Sequence, residues 1–203
     1  MAALRRAFLA VVPPPAVLDA VDGLFDRTRR SKYQWTSREQ WHVTVQFFGK
    51  VTDADALIGA LAARGWTLGV AESLTAGLIG SRIGAVPGAS ATFRGSIASY
   101  ATDVKRSVLG VTAERVVSEE CARQMAVGAQ RVLGADVGIA ATGVAGPDEQ
   151  DDQPVGTVCF AIALPDREPE SFSTRLPGDR ERVRQFAAIS LLNGLRQRLE
   201  SLG

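Results

Sequence analysis

Gly69-Val70-Ala71-Glu72-Ser73-Leu74-Thr75-Ala76-Gly77-Leu78-Ile79-Gly80 is the stretch whose reading decides the fold. Thr67 to Ala71 is short and apolar, as a strand covered on both faces should be. Glu72-Ser73 breaks the apolar run. Leu74 to Ile83 then suits a helix, with Leu74, Leu78 and Ile79 towards one side. A strand, a small polar turn and a helix predict a βα unit. Backbone N–H groups at such a turn lack intrahelical partners, so Ser73 stands where a nucleophile or an anion ligand is well served. The residues alone leave a plainer role open, in which Ser73 caps the helix.

The pattern continues in both directions. Gly95 to Tyr100 predicts a strand, and Ala101 to Gly110 a helix ending at its glycine. Ser118 is a predicted N-cap. Cys121, Met125, Ala129 and Val132 form the buried face of a helix closed at Gly134. Ala135 to Gly143 predicts a strand running into the loop Thr142-Gly143-Val144-Ala145-Gly146-Pro147, and Asp148 to Gln153 an exposed acidic loop. Two strands, Val155–Leu164 and Ser171–Leu176, precede a long helix from Gly178 to Leu202. Val183, Phe186, Ala187, Leu191, Leu195 and Leu199 make its apolar stripe. Upstream, Val51 to Ala63 predicts a helix ended at Gly65. Strands alternating with helices predict an α/β domain from residue 52 to 203. Residues 1–51 form a separate α+β segment. In it, strand Arg6–Val12 is stopped by Pro13-Pro14-Pro15, Val17 to Phe25 recur at helical spacing, and strand Trp41–Gly49 alternates.

Composition narrows the chemistry. With 203 residues and 46% hydrophobic residues, the chain can bury a core. A net charge of +1 gives no field suited to nucleic acid or an acidic membrane. The apolar run 7–12 is short for a signal peptide, and no stretch nears the ~20 apolar residues of a span. The expected location is the cytoplasm. Two cysteines, Cys121 and Cys159, make no disulfide framework or metal spacing, and read as core residues. Neither a metal nor a cofactor is expected. His42 is the only histidine, so any imidazole-dependent catalysis must use it.

Three predicted strands end in small or polar residues, at Glu72-Ser73-Leu74-Thr75, Ser99-Tyr100 and Thr142-Gly143. Ligands of α/β sheets sit at the carboxyl ends of parallel strands, so these ends can converge. Lys105 follows Tyr100 by about one helical turn. A serine needs a base. Without an imidazole in this domain, a partly buried lysine of lowered pKa can take the proton, with Tyr100 orienting it. The ordinary alternatives are a solvated lysine and a tyrosine at the core's edge.

Two family resemblances attach to particular residues. FLAVVPPPAVLDAV (8–21) and QWHVTVQFFGKV (40–51) resemble the first half of the RNA 2′,3′-cyclic phosphodiesterases, the 2H phosphoesterases. That family uses two His-x-Thr motifs. This chain has one, His42-x-Thr44, so an acid–base pair cannot form within one chain, and residues 1–51 read as a truncated fragment. VAESLTAGLIGSRIGAVPGASATFRGSIASYATDVKRSVLGV (70–111), VSEECARQMAVGAQRVLGADVGIAATGVAGPD (117–148) and PVGTVCFAIA (154–163) resemble the CinA C-terminal domain family.

The second resemblance implies a three-layer α/β/α sandwich with a mixed, mostly parallel sheet, assembled as a homodimer. It implies an amidohydrolase that converts nicotinamide mononucleotide to nicotinate mononucleotide and ammonia. Carried onto matching positions, Ser73 is the nucleophile and Tyr100 and Lys105 supply the base. Thr75, Gly77, Arg94, Thr142 and Gly143 bind the substrate or its phosphate. Two departures stand out. Leu74-Thr75-Ala76-Gly77 replaces a common Cys-Thr-Gly-Gly, and the loop after Gly146-Pro147 is acidic rather than glycine-rich. A non-catalytic nucleotide-binding module is the rival reading.

Overall fold

The computed structural model describes residues 8–11, 13–23, 43–47 and 53–202. The chain divides into two compact units, Met1–Thr52 and Asp53–Gly203. In the first, strand β1 (Phe8–Val11) pairs antiparallel with β2 (Val43–Phe47), and helix α1 (Pro15–Gly23) starts directly after the prolines. Thr44 stands opposite Ala10, while His42 lies outside the described residues.

The second unit opens with helix α2 (Asp53–Ala62). A βα unit follows, β3 (Leu68–Glu72) then α3 (Leu78–Gly84). After a single 3₁₀ turn come β4 (Phe93–Ala98), α4 (Thr102–Leu109), α5 (Glu119–Leu133) and β5 (Val137–Gly143). Strands β6 (Thr157–Ala163) and β7 (Glu170–Arg175) and the long helix α6 (Arg180–Ser201) complete it. The strand order is β4-β3-β5-β6-β7. β3 pairs parallel with β4 and β5, and β6 pairs antiparallel with both β5 and β7. The mixed α/β sandwich is the one expected, with its parallel part confined to the three strands β4, β3 and β5.

The sheet is buried on both sides, yet its two faces differ in size. Leu68 and Val70 of β3, Val137 and Ile139 of β5, and Val158, Phe160 and Ile162 of β6 face the core shared with α2, α3 and α6. Ala71, Ala140, Cys159, Ala161 and Ala163 face the core shared with α4 and α5. Strand alternation therefore sorts large from small side chains rather than apolar from polar. The small face lets α5 lie close. A Cβ at Gly138 would stand 2.1 Å from the Ala126 carbonyl oxygen. On the other side, Leu57, Leu61, Leu191, Leu195 and Leu199 are wholly buried between α2 and α6, each worth about 1.5–3 kcal/mol of burial.

Helix ends follow their sequence signals where those are strong. The Ser118 side chain accepts the Cys121 N–H at 3.1 Å, and α5 closes on Gly134 in the left-handed conformation. Two positions of the predicted apolar faces turn outward instead: Val132 is 42% exposed and Phe186 41%. At the end of α5 it is Leu133, beside Gly69 and Gly95, that faces the sheet, and Val132 is left outside. The stripe of α6 buries Val183, Ala187, Leu191 and Leu195, and Phe186 falls outside its arc.

Candidate active site

The parallel strands β4, β3 and β5 end on the same side of the sheet, in register: Glu72 lies opposite Ala98 and Ala141. The residues that follow are Ser99-Tyr100, Ser73 and Thr142-Gly143, the three strand ends expected to converge. After β3 the chain packs α3 on one face, and after β4 it packs α4 and α5 on the other. The crevice lies where the winding reverses, the place where open α/β sheets bind ligands.

A cavity of about 110 Å³ opens there, and Ser73, Tyr100, Lys105, Thr142, Gly143 and Arg180 are among its lining residues. Its floor is buried and its rim exposed. Ser73 is 8% exposed and Lys105 2%, against 54% for Tyr100. The Ser73 N–H donates to the Ala141 carbonyl at 3.0 Å, which ties the serine to the neighbouring strand. Among the described residues, no protein hydrogen bond involves its hydroxyl.

Lys105 is not the solvated charge that an eight-residue helix on the surface would ordinarily carry. Its ammonium group reaches back over the start of α4 and donates to the Tyr100 carbonyl oxygen at 3.1 Å. Burial lowers its pKa from the ordinary 10.5, while the nearby Cys121 and Asp151 charges act in the opposite sense. The thiols of Cys121 and Cys159 are themselves pushed up by burial, each to about 11. Both are buried core residues, held as neutral thiols at pH 7 and so poor nucleophiles.

The turn around Ser73 differs from the expected one. Helix α3 begins at Leu78, not at Leu74, and its N-cap is Gly77, with φ 92° and no side-chain cap. Ser73 therefore does not cap it. Ala76 and Gly77 are both left-handed, which ends any helical path from Ser73. The cap comes from Glu72 instead. Its fully buried carboxylate accepts the N–H groups of Gly77 (3.0 Å), Ile79 (3.0 Å) and Gly80 (2.8 Å) and the Ser96 hydroxyl (2.6 Å). A carboxylate at a helix N-terminus satisfies orphan donors and the helix dipole together. The signal in the sequence was a glutamate closing a strand with no polar side chain.

Two arginines of α6, both outside its apolar stripe, join the site. Arg184 donates to the Leu74 and Thr75 carbonyls, both at 3.2 Å, and pairs with Glu181 at 2.8 Å. It clamps the serine turn from α6. Arg180 lines the cavity and donates to the Tyr100 hydroxyl and the Gly146 carbonyl. Glycine and proline at 177–178 before α6 were the available clue that a turn delivers these side chains.

The other expected site residues divide. Thr142 and Gly143 line the cavity, and the Thr142 hydroxyl donates to the Val116 carbonyl at 2.6 Å. Thr75 is wholly buried, with a hydroxyl lacking any partner among the described residues, and is not on the lining. Gly77 stands behind the turn, on Glu72. Arg94 is exposed away from the cavity, its Nε donating to the Leu133 carbonyl at 3.1 Å. The acidic loop contributes Asp148 to the lining, while Asp151 accepts the Val117 N–H at 2.9 Å. Among the described residues, no group of three or more His, Cys, Asp or Glu side chains gathers as for a metal, and no helix is long and apolar enough to cross a membrane.

Known proteins share this fold. The family model for the CinA C-terminal domain matches residues 51–199. A CinA-like protein of Frankia casuarinae is 50% identical over 151 residues, which cover 72% of this chain and 35% of that protein. One from Mycolicibacterium gilvum is 38% identical over 98% of this chain and 47% of its own length. The chain thus spans between a third and a half of these relatives. A crystal structure of a competence-damaged protein (CinA) superfamily member from Klebsiella pneumoniae superposes with a TM-score of 0.70 at 34% identity, over 73% of this chain and 96% of that one. The corresponding superfamily protein of Escherichia coli gives 0.68 at 30% identity, over 71% and 88%. With the match running through strand ends, cavity and helices alike, the chain belongs to the CinA C-terminal domain family.

Proposed function

We propose that this chain hydrolyses the carboxamide of nicotinamide mononucleotide, giving nicotinate mononucleotide and ammonia through an acyl-serine intermediate. The observation that carries the reading is a buried lysine of lowered pKa lining the same small cavity as a buried serine. Lys105 in its neutral form takes the Ser73 proton as the hydroxyl oxygen attacks the amide carbon. The protonated lysine then returns that proton to the departing nitrogen, which leaves as ammonia. Water, activated by the same amine, hydrolyses the ester and frees the carboxylate and Ser73. A neutral lysine has a second advantage, because the substrate's pyridinium ring is cationic and a charged amine would repel it.

The oxyanion needs donors. The Ser73 N–H is committed to Ala141, but among the described residues the Leu74 and Thr75 N–H groups have no protein acceptor. Arg184 and Glu72 hold the turn that carries them, so their direction is set before substrate arrives. Tyr100 supplies the carbonyl that orients the lysine amine. Of the family set, Thr142 and Gly143 remain as cavity contacts for substrate, and Thr75 and Gly77 as parts of the turn. The resemblance also supports a homodimer.

Ammonia release from nicotinamide mononucleotide tests the proposal. Ser73→Ala and Lys105→Ala should each lower kcat by on the order of a thousandfold or more, since nucleophile and base act as one unit. Wild-type turnover surviving either substitution would remove the mechanism. Thermal stabilisation by the nucleotide without ammonia release would favour the binding-module reading instead.

A further inference from the structure

We propose that Arg180 is the anion-recognition residue of this cavity, selecting ligands that carry a phosphate monoester over their dephosphorylated counterparts. The inference rests on the functional reading above and extends it to a part of the ligand remote from the reacting amide.

Position comes first. Arg180 is the first residue of α6, exposed at the rim, while Ser73 and Lys105 are buried at the floor. A ligand with its carboxamide at the floor must therefore send its other end past this guanidinium. Among the described residues it is the one arginine lining the cavity. The other basic side chain, Lys105, is buried at the floor with its amine on the Tyr100 carbonyl.

Chemistry comes next. The guanidinium has five N–H donors. Those donating here go to neutral acceptors, the Tyr100 hydroxyl and the Gly146 carbonyl. These partners hold the planar group in place without cancelling its charge. Arg184, about one turn further along α6, is spent differently, in an ion pair with Glu181. A preoriented guanidinium that keeps its charge suits a phosphate, which accepts two parallel N–H bonds. Asp148 lines the same cavity. A free dianion would meet it unfavourably, whereas a ligand bearing both a cationic ring and a phosphate complements the pair. Arg94, which the resemblance implies as a contact to the substrate or its phosphate, lies outside the cavity, on the Leu133 carbonyl.

Binding without turnover provides the test, in the full chain carrying Ser73→Ala. Nicotinamide mononucleotide and nicotinamide riboside are titrated calorimetrically into this protein and into the same protein with Arg180→Ala, Arg180→Lys or Tyr100→Phe. Loss of a charge-assisted pair should weaken mononucleotide binding roughly tenfold to a hundredfold in Arg180→Ala, leave riboside binding within about twofold, and be partly spared in Arg180→Lys. Inorganic phosphate should compete with the mononucleotide only when Arg180 is present. Equal weakening of both ligands in Arg180→Ala, or in Tyr100→Phe, would show that the Arg180–Tyr100 pair shapes the cavity as a whole and would overturn the assignment. So would unchanged mononucleotide binding, or no binding of mononucleotide and phosphate alike. If wild type releases no ammonia yet the Arg180-dependent preference persists, the hydrolytic reading falls and the phosphate subsite stands.

Discussion

Lys105 shows what burial does to one side chain. Desolvation lowers its pKa below 10.5, so the folded chain sheds this proton at a lower pH than the unfolded chain does. Between the folded value and 10.5 the unfolded state binds more protons, and stability rises with pH across that window. Below it the cost of burying the charge is present in full. Lys105→Met should therefore be more stable than wild type at neutral pH, with the difference shrinking towards pH 10.5, as read by urea unfolding at a series of pH values. A constant difference would mean that packing, not charge, separates the two. For the same reason kcat/KM should rise with pH to a midpoint below 10.5. Ala76 makes a second case. Its φ of 49° is strained for a side-chain-bearing residue. Ala76→Gly should raise stability by about 1 kcal/mol, visible as a higher Tm. A fall in Tm would show that unfolded-state entropy outweighs the strain.

Helix α5 depends on the smallness of what lies beneath it. Ala122, Ala126 and Ala129 meet the alanines and glycines of β3, β5 and β6. At Gly138 even one methyl group would overlap the backbone of α5, with the Ala126 oxygen at 2.1 Å. Backbone cannot rotate away as a side chain can, so Gly138→Ala should cost about 1–3 kcal/mol of stability, or more. Chemical denaturation measures it, and a cost near zero would show that α5 slides freely on the sheet. Because α5 begins beside Lys105 and Cys121, the same variant should also slow ammonia release. The serine turn is the opposite kind of element. It has no regular hydrogen-bond ladder, and is held by Glu72 from below and by Arg184 from α6. Its rigidity is borrowed from the sheet and from α6 rather than from local propensity.

The two units fold around separate sets of contacts. Every residue that lines the cavity lies within 73–180, inside the second unit. A chain of residues 53–203 should therefore unfold cooperatively and release ammonia at the rate of the full chain. A much slower shortened chain would give residues 1–52 a share in turnover. Light scattering on both preparations tests the homodimer.

The order of elements in 53–202 was legible from residue pattern alone, because each signal was local. Ser118 and Gly134 bracket α5 by capping chemistry, Gly110 ends α4, and short apolar runs mark β3, β5 and β6. The convergence of Ser73, Tyr100 and Thr142 was legible too, since parallel strands end together. The start of α3 was not. It turns on a carboxylate reaching across to three N–H groups and on a left-handed alanine, neither of which periodicity records. Nor could residue pattern tell Arg94 from Arg180. A separation of 80 residues divides Tyr100 from the guanidinium that meets its hydroxyl. The serine turn was chosen by its own residues, but its partners were chosen by the crossing of layers. Side-chain charge and burial depend on which distant backbone comes alongside, and that is a property of the packed sheet and helices, not of neighbouring residues in the chain.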